Sequence, residues 1–304
     1  MGDDPAAREK SDSEPDNGAE NSSDSAGAAS PHLDHSDKKL AAAHTAPRAL
    51  VIHELVREEG EEGLKRPAAA LAWSGFAAGL SMGFSFLSLA LLHSGLPDAP
   101  WRKLVESPGY SIGFLIVILG RQQLFTETTV TAVLPLLIRR NLQTFIALLR
   151  FWAIVLLANV AGAIVFAGLI TPAGLFPPEV HQALLDIGRE SVNGAFWPTM
   201  VRSVFAGWLI ALMVWILPSA RSARMFVILI ITYIVSVGHF SHTVAGTVEA
   251  AFAVFAGNST LHDFLFGFMT PTLIGNTIGG VALVGLLNHA PLAAVLQGES
   301  QDRN

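Results

Sequence analysis

Cysteine is absent from the 304 residues, which excludes disulfide bonds, thiolate metal sites and a cysteine nucleophile. Charge is scarce: 14% of residues are Asp, Glu, Lys or Arg against 51% apolar, and mean hydropathy is +0.46. A water-facing surface needs more charge than this, so most side chains must face something other than water. The little charge present is unevenly placed. Residues 1–40 hold ten acidic and four basic side chains, the whole net charge of -6, and the remaining chain is balanced at fifteen of each. This acidic, Ser- and Gly-rich head has too few apolar residues to form a core and reads as a disordered, solvated tether over residues 1–50. Its sign argues against nucleic acid as a partner. No cleavable signal peptide is expected at so polar an N-terminus.

A spanning helix needs about 20 mostly apolar residues, and six stretches meet or approach that length. Residues 68–92, 151–170, 197–217 and 264–287 are continuous, with Arg202 near the start of the third of these. The second and fifth stretches in chain order are interrupted. Residues 111–120 are followed by Arg121, Gln122 and Gln123 before 124–138, which contains Thr126 and Glu127. Residues 225–238 are followed by His239, Phe240, Ser241, His242 and Thr243 before 244–257, which contains Glu249.

The order continuous, broken, continuous therefore occurs twice, and the third and sixth stretches share Asn-x-x-Gly at Asn159 to Gly162 and Asn276 to Gly279. This pattern predicts a duplication. Three spans per half place the halves in opposite orientations, so the expected fold is an all-α polytopic membrane protein of six transmembrane helices arranged as two inverted three-helix repeats. Short-loop Lys and Arg number seven on one side (Arg57, Lys65, Arg66, Arg139, Arg140, Arg221, Arg224) and three on the other (Arg102, Lys103, Arg189). Both termini are then expected in the cytoplasm. The transport domain is expected over residues 51–290, with a short cytoplasmic tail at 291–304.

Freed backbone N–H and C=O groups cost several kcal/mol each in lipid, so broken helices survive where protein or a water-lined cavity satisfies them. Two breaks in matching positions predict one central pathway. The half-helix after each break presents its positive N-terminal end there, which favours an anion over a cation.

Three motifs, Leu124-Phe125-Thr126, Phe240-Ser241-His242-Thr243-Val244-Ala245 and Gly275-Asn276-Thr277-Ile278-Gly279-Gly280, resemble the signatures of the formate/nitrite transporter family, in the right order and on the right segments. The likeness covers about residues 60–290. It implies an aquaporin-like fold, a homopentamer in a lipid bilayer of the bacterial inner (plasma) membrane type, and one pore per protomer passing small monovalent weak-acid anions such as formate or nitrite. By resemblance His242 is the pore histidine, Thr126 faces it from the other broken helix, Asn276 is a polar pore-lining partner, and Leu124 and Phe125 form an apolar constriction. No enzymatic activity, catalytic residue, cofactor or metal is implied. His239 and His242 stand three apart, but no third ligand follows at usable spacing.

The chain departs from the family pattern at several of these positions. Ser241 stands where a glutamate usually precedes the pore histidine, Gly246 where an asparagine is usual, and Val235 where many members carry a constricting phenylalanine. Arg121 and Glu127 replace small residues, and with His239 they are candidate pore-mouth or gating groups; Arg121 and Glu127 equally fit a salt bridge across the break. Mechanistically, a bare ion in a low-dielectric constriction costs several kcal/mol. A central histidine, with an ordinary pKa of about 6.5, either protonates a weak-acid anion or stays neutral and only donates a hydrogen bond. Rival readings are an aquaporin-like neutral-solute channel, although paired Asn-Pro-Ala motifs are absent, an intramembrane hydrolase using His239 and His242, and an occluded structural membrane protein.

Overall fold

The computed structural model describes residues 49–286, and among them every regular element is helical. Helix α1 (Ala49–Lys65) is amphipathic and buries His53, Val56, Gly60 and Gly63. Its polar side is held by Arg57, which reaches Glu54 at 2.7 Å and Glu61 at 2.6 Å, and by Arg139, 2.9 Å from Glu61. Partial burial pushes the Glu61 carboxyl up, but the guanidiniums of Arg139 and Arg57 outweigh it and hold the group below the usual glutamate range. The contact is therefore present above that range and is lost as pH falls through the depressed value. The tails expected at 1–50 and 291–304 lie outside the described residues, except that Ala49 and Leu50 open α1.

Helix α2 (Ala68–Ser94) follows after Pro67, whose missing N–H costs nothing at a helix start. A short helix (Arg102–Glu106) and a tight turn (Ser107–Tyr110) lead into α3 (Ser111–Leu119). After a break come α4 (Phe125–Thr131) and α5 (Val133–Arg139). Helix α6 (Leu142–Ile170) starts nine residues before its apolar run, because Asn141 caps it by accepting the Thr144 N–H. Helix α7 (Pro178–Val192), not anticipated from the hydropathy, is amphipathic and buries Val180, Ala183, Leu184, Ile187, Gly188 and Val192. Helices α8 (Phe196–Ala220) and α9 (Arg224–Val237) are joined by one turn, and α10 (Thr243–Phe255) follows the second break. The last run comprises a wide π turn (Asp263–Met269), α11 (Thr270–Ile278) and a second wide turn (Gly279–Leu286).

Among the described residues four stretches are long and apolar enough to cross a bilayer, Ala68–Ser94, Leu142–Ile170, Phe196–Val237 and Asp263–Ala282, and Thr243–Phe255 is a shorter apolar helix. Large apolar side chains such as Trp73, at 74% exposure, stand on the outer surface, where lipid rather than water suits them. Phe264 and Phe268 are buried, while Phe266 between them is exposed.

The most extensive packing is α2 on α6 and α8 on α11, and the two pairs are built alike. A Cβ at Gly79 would fall on the Asn159 carbonyl, and one at Gly162 on the Phe76 carbonyl. A Cβ at Gly207 would fall on the Asn276 carbonyl, and one at Gly279 on the Val204 carbonyl. Backbones this close need glycine, and close approach is how helices gain contact without a hydrophobic driving force in lipid. Gly79→Val or Gly207→Val is expected to cost at least about 1–3 kcal/mol through overpacking, seen as a lower thermal unfolding midpoint in detergent. Gly95→Val, with no neighbouring atom closer than 3.8 Å, is expected to leave the midpoint unchanged.

Candidate functional site

Both breaks are made by the same local device. At the end of α3 the Gly120 N–H donates to Ile116 O at 2.9 Å and the Gln122 N–H to Val117 O at 3.0 Å; at the end of α9 the Gly238 N–H donates to Ile234 O at 2.9 Å and the Phe240 N–H to Val235 O at 3.0 Å. These bonds close a helix C-terminus around one left-handed residue. Here that residue is Arg121 (φ 55°) in the first break and His239 (φ 50°) in the second. A left-handed residue with a side chain costs about 1–2 kcal/mol, so both are held by their surroundings. The chain then extends through Leu124 and His242 (φ -103° and -111°), the residues immediately before α4 and α10.

Each break is clamped by one asparagine from the following span. Asn159 Oδ1 accepts the Phe125 N–H at 2.8 Å, and its Nδ2 donates to Gly75 O at 2.7 Å and Gln123 O at 2.9 Å. Asn276 Oδ1 accepts from the Thr243 N–H and hydroxyl at 2.8 Å each, and its Nδ2 donates to Ser203 O at 2.7 Å and Ser241 O at 3.0 Å. Asn159 thereby ties the first break to α2. Asn276, expected to line a pore, is corrected: both amide protons and both carbonyl lone pairs are committed to protein, so no polar valence remains for a substrate.

The two clamped loops bring His242 and Thr126 together. Nε2 of His242 lies 2.7 Å from Thr126 Oγ1, and both residues are buried. On its other side the ring caps α10, with Nδ1 accepting the Ala245 N–H at 3.3 Å. A backbone N–H can only donate, so Nδ1 is the bare nitrogen and the ring's proton sits on Nε2, directed at the Thr126 hydroxyl. The Phe114 ring stands edge-on to the imidazole at 5.0 Å between centroids. No carboxylate touches His242 among the described residues.

One cavity reaches His242, and a second is lined by residues that flank Thr126 in sequence. A small one, ≈ 110 Å³, is lined by His242 and Ser241 with His239, Glu249, Arg202 and Phe268. His239 lies 2.8 Å from Glu190 of α7; this hydrogen bond, against partial burial, holds the Glu190 carboxyl below its ordinary range. A larger cavity, ≈ 410 Å³, opens beside α1 and is lined by Arg121, Gln122, Gln123, Glu127, Thr128 and Arg224, among others. Arg121 and Glu127 share this wall without an ion pair between them. Leu124 and Phe125 are buried and line neither cavity. Phe268, Phe114 and Arg224 carried no local signal that marked them as site residues. Phe268 occupies the space beside Gly246, where a Cβ would meet its ring at 2.5 Å.

The family model described as formate/nitrite transporter matches residues 50–290. The inner membrane protein YfdC of Escherichia coli (strain K12) is 41% identical over 247 residues, covering 81% of this chain and 79% of that protein. The formate channel BtFdhC of Bacillus thuringiensis is 27% identical over 250 residues, covering 79% and 93%. Among solved structures, a pentameric formate channel with formate bound aligns at a TM-score of 0.65 with 20% identity, covering 74% of this chain and 98% of that one, a likeness of fold.

Removing either clamp leaves a buried backbone N–H at the start of a half-helix without its acceptor. Asn159→Ala and Asn276→Ala are each expected to destabilise the fold by about 1–3 kcal/mol or more, measured by thermal unfolding in detergent, with similar losses for the two variants because the clamps are equivalent.

Proposed function

This chain belongs to the formate/nitrite transporter family, and on that footing we propose that it passes small monovalent weak-acid anions, formate or nitrite among them, through a pore in each protomer. The proposed assembly is a homopentamer in the inner membrane, drawing on what the relatives are described to be. Each protomer carries six spans, with α2, α6, α8 and the α11 run continuous, α3 to α5 making the broken second and α9 with α10 the broken fifth. The repeated asparagine clamp supports reading the two halves as inverted three-helix repeats with both termini cytoplasmic. The path then runs from the α1-side cavity, past Leu124 and Phe125 as the apolar barrier, to the Thr126 and His242 pair and out through the α7-side cavity.

The observation that carries this reading is the 2.7 Å contact between His242 Nε2 and Thr126 Oγ1. It puts a donor and a hydroxyl where the two breaks converge and beside the cavity that reaches His242. Its chemistry suits a small oxyacid. The Nε2–H donates to an oxygen of the passing molecule, and the Thr126 hydroxyl, freed from the imidazole, donates or accepts as required. With Nδ1 tied to Ala245 and no carboxylate at the ring, the imidazole is read here as a neutral donor, and the proton that neutralises the anion comes from bulk water. Crossing as the neutral acid avoids the several kcal/mol that a bare ion would cost.

Stopped-flow uptake of formate, nitrite, acetate and hydrosulfide into proteoliposomes tests the reading. Wild-type protein is expected to accelerate uptake over empty liposomes. His242→Ala, which removes the donor and the α10 cap, is expected to lower the rate by about tenfold or more. A folded wild type indistinguishable from empty liposomes for all four anions overturns the transport reading.

A further inference from the structure

Along α10, His242, Gly246 and Glu249 all line the smaller cavity. They follow one another at spacings of four and three, the repeat that stacks positions on one side of a helix. The middle step of this stripe has no side chain of its own. Phe268 takes the space: a Cβ at Gly246 would stand 2.5 Å from Phe268 Cζ and 2.6 Å from Cε2, so the rim of the ring rests on the α10 backbone one turn beyond His242. Phe268 lines the same cavity and is 1% exposed.

The ring is held there from two directions. It lies in the wide π turn Asp263–Met269, immediately before Thr270 opens α11, and such turns are uncommon and concentrate at functional sites. The same run is bonded to the start of α10 through Asn276, which accepts the Thr243 N–H at 2.8 Å. With that clamp closed, the ring leaves the glycine notch by turning about its own side-chain bonds and not by separation of the two helices. The other benzene rings lining the cavity are set against aromatic neighbours, Tyr110 on Phe114 at 5.3 Å and Phe240 stacked on Phe205 at 5.4 Å between centroids. Phe268 is seated instead on bare backbone. On the far wall Val235, also buried, is a much smaller side chain. The bulk lining the cavity one turn from the imidazole is therefore the Phe268 ring, and its position is decided by the missing side chain at Gly246.

We propose that Phe268, seated on Gly246, is the size-limiting residue on the α7 side of His242, admitting acids as small as formate or nitrite and holding back longer carboxylates. The inference rests on the transport reading and adds to it a width set by two residues, one from α10 and one from the run that leads into α11.

Formate and lactate are the discriminating pair, being similar in acid strength and charge and different in size. In proteoliposomes, with the rate of empty liposomes subtracted, the wild type is expected to take up formate at least about tenfold faster than lactate, the factor that a poorly accommodated methylene or more imposes in a packed site. Phe268→Leu shortens the side chain and is expected to raise lactate uptake until the ratio falls to within roughly threefold. Phe268→Met, which keeps the bulk and loses the rigidity, gives the same fall and serves if the first variant does not assemble. Gly246→Ala acts in the opposite direction, because its methyl drives the ring off the notch into the cavity, and formate uptake is expected to drop about tenfold. In the double variant Phe268→Leu/Gly246→Ala no ring remains to be displaced, so formate uptake returns to within about threefold of wild type. General damage to the fold predicts instead that the double variant is slower than either single one.

A wild type that moves neither acid overturns the transport reading and the size limit with it. A wild type that moves formate no faster than lactate overturns the size limit alone. The limit also falls if the folded Phe268 variants keep the wild-type ratio, or if the double variant is no faster with formate than Gly246→Ala.

Discussion

The site depends on two asparagine side chains that pair the backbone where spanning helices are interrupted. A break inside hydrocarbon frees amide groups that lipid cannot satisfy, each at a cost of several kcal/mol. Asn159 and Asn276 answer this with the same three-way bond: one acceptor for the first N–H of the new half-helix, and two donors, one to the extended loop and one to the neighbouring long helix. Because each asparagine reaches three segments, the loop, the half-helix and the long helix are fixed relative to one another at a single point. The glycines around them belong to the same requirement. Gly79 and Gly207 let the long helices approach until the asparagine backbone lies against them, and only at that distance do Gly75 O and Ser203 O come within reach of the amides.

Once the loops are fixed, what they present follows from register. Leu124 and His242 immediately precede their half-helices, so the residue at that place has its side chain delivered to the meeting point of the two breaks. The left-handed conformations of Arg121 and His239 are part of the same geometry, since they turn the chain sharply enough for the extended segment to run back toward the centre. Glycine would adopt those angles at less cost, and the side chains present there are both charged or ionisable and both line a cavity. The local strain is thereby tied to placing a polar group at each mouth.

Much of this was legible in the sequence, for physical reasons that also mark where legibility ends. Long apolar runs bounded by Pro or charge located α2, α8, the α11 run and the end of α6 within a few residues, since hydrophobic length is the strongest signal a membrane chain carries. The two interruptions stood out because polar residues in such runs are expensive, and the three motifs named the His242 and Thr126 pairing by resemblance. The amphipathic helices α1 and α7 were not visible as elements, because half their residues are polar and they add nothing to a hydropathy run. The clamping bonds of Asn159 and Asn276 were not legible, since sequence does not say whether a buried amide faces a path or its own backbone. Sequence is equally silent on which of three alternate phenylalanines turn inward: Phe264 and Phe268 are buried and Phe266 is exposed.

The repeated break-and-clamp geometry explains the scaffold, and the side chains that differ between the two breaks explain the chemistry. Aligning the two breaks on their clamps sets Phe125 opposite Thr243, hence Leu124 opposite His242 and Thr126 opposite Val244. Backbone geometry is repeated, while each pair of side chains is an apolar residue against a polar one. A strictly symmetric pair of loops would give either two imidazoles or two leucines at the centre, the first crowding two bases together and the second leaving no hydrogen-bonding group there. The observed exchange supplies one donor, one hydroxyl and two apolar walls from one repeated backbone geometry. The same logic extends outward. Glu127 on the α1 side has Ala245 as its counterpart, and Glu249 on the α7 side has Thr131, so each cavity carries an acidic group that its equivalent position lacks. Chemical variety in such a frame resides where the two breaks disagree, because the positions on which they agree are already committed to pairing the backbone.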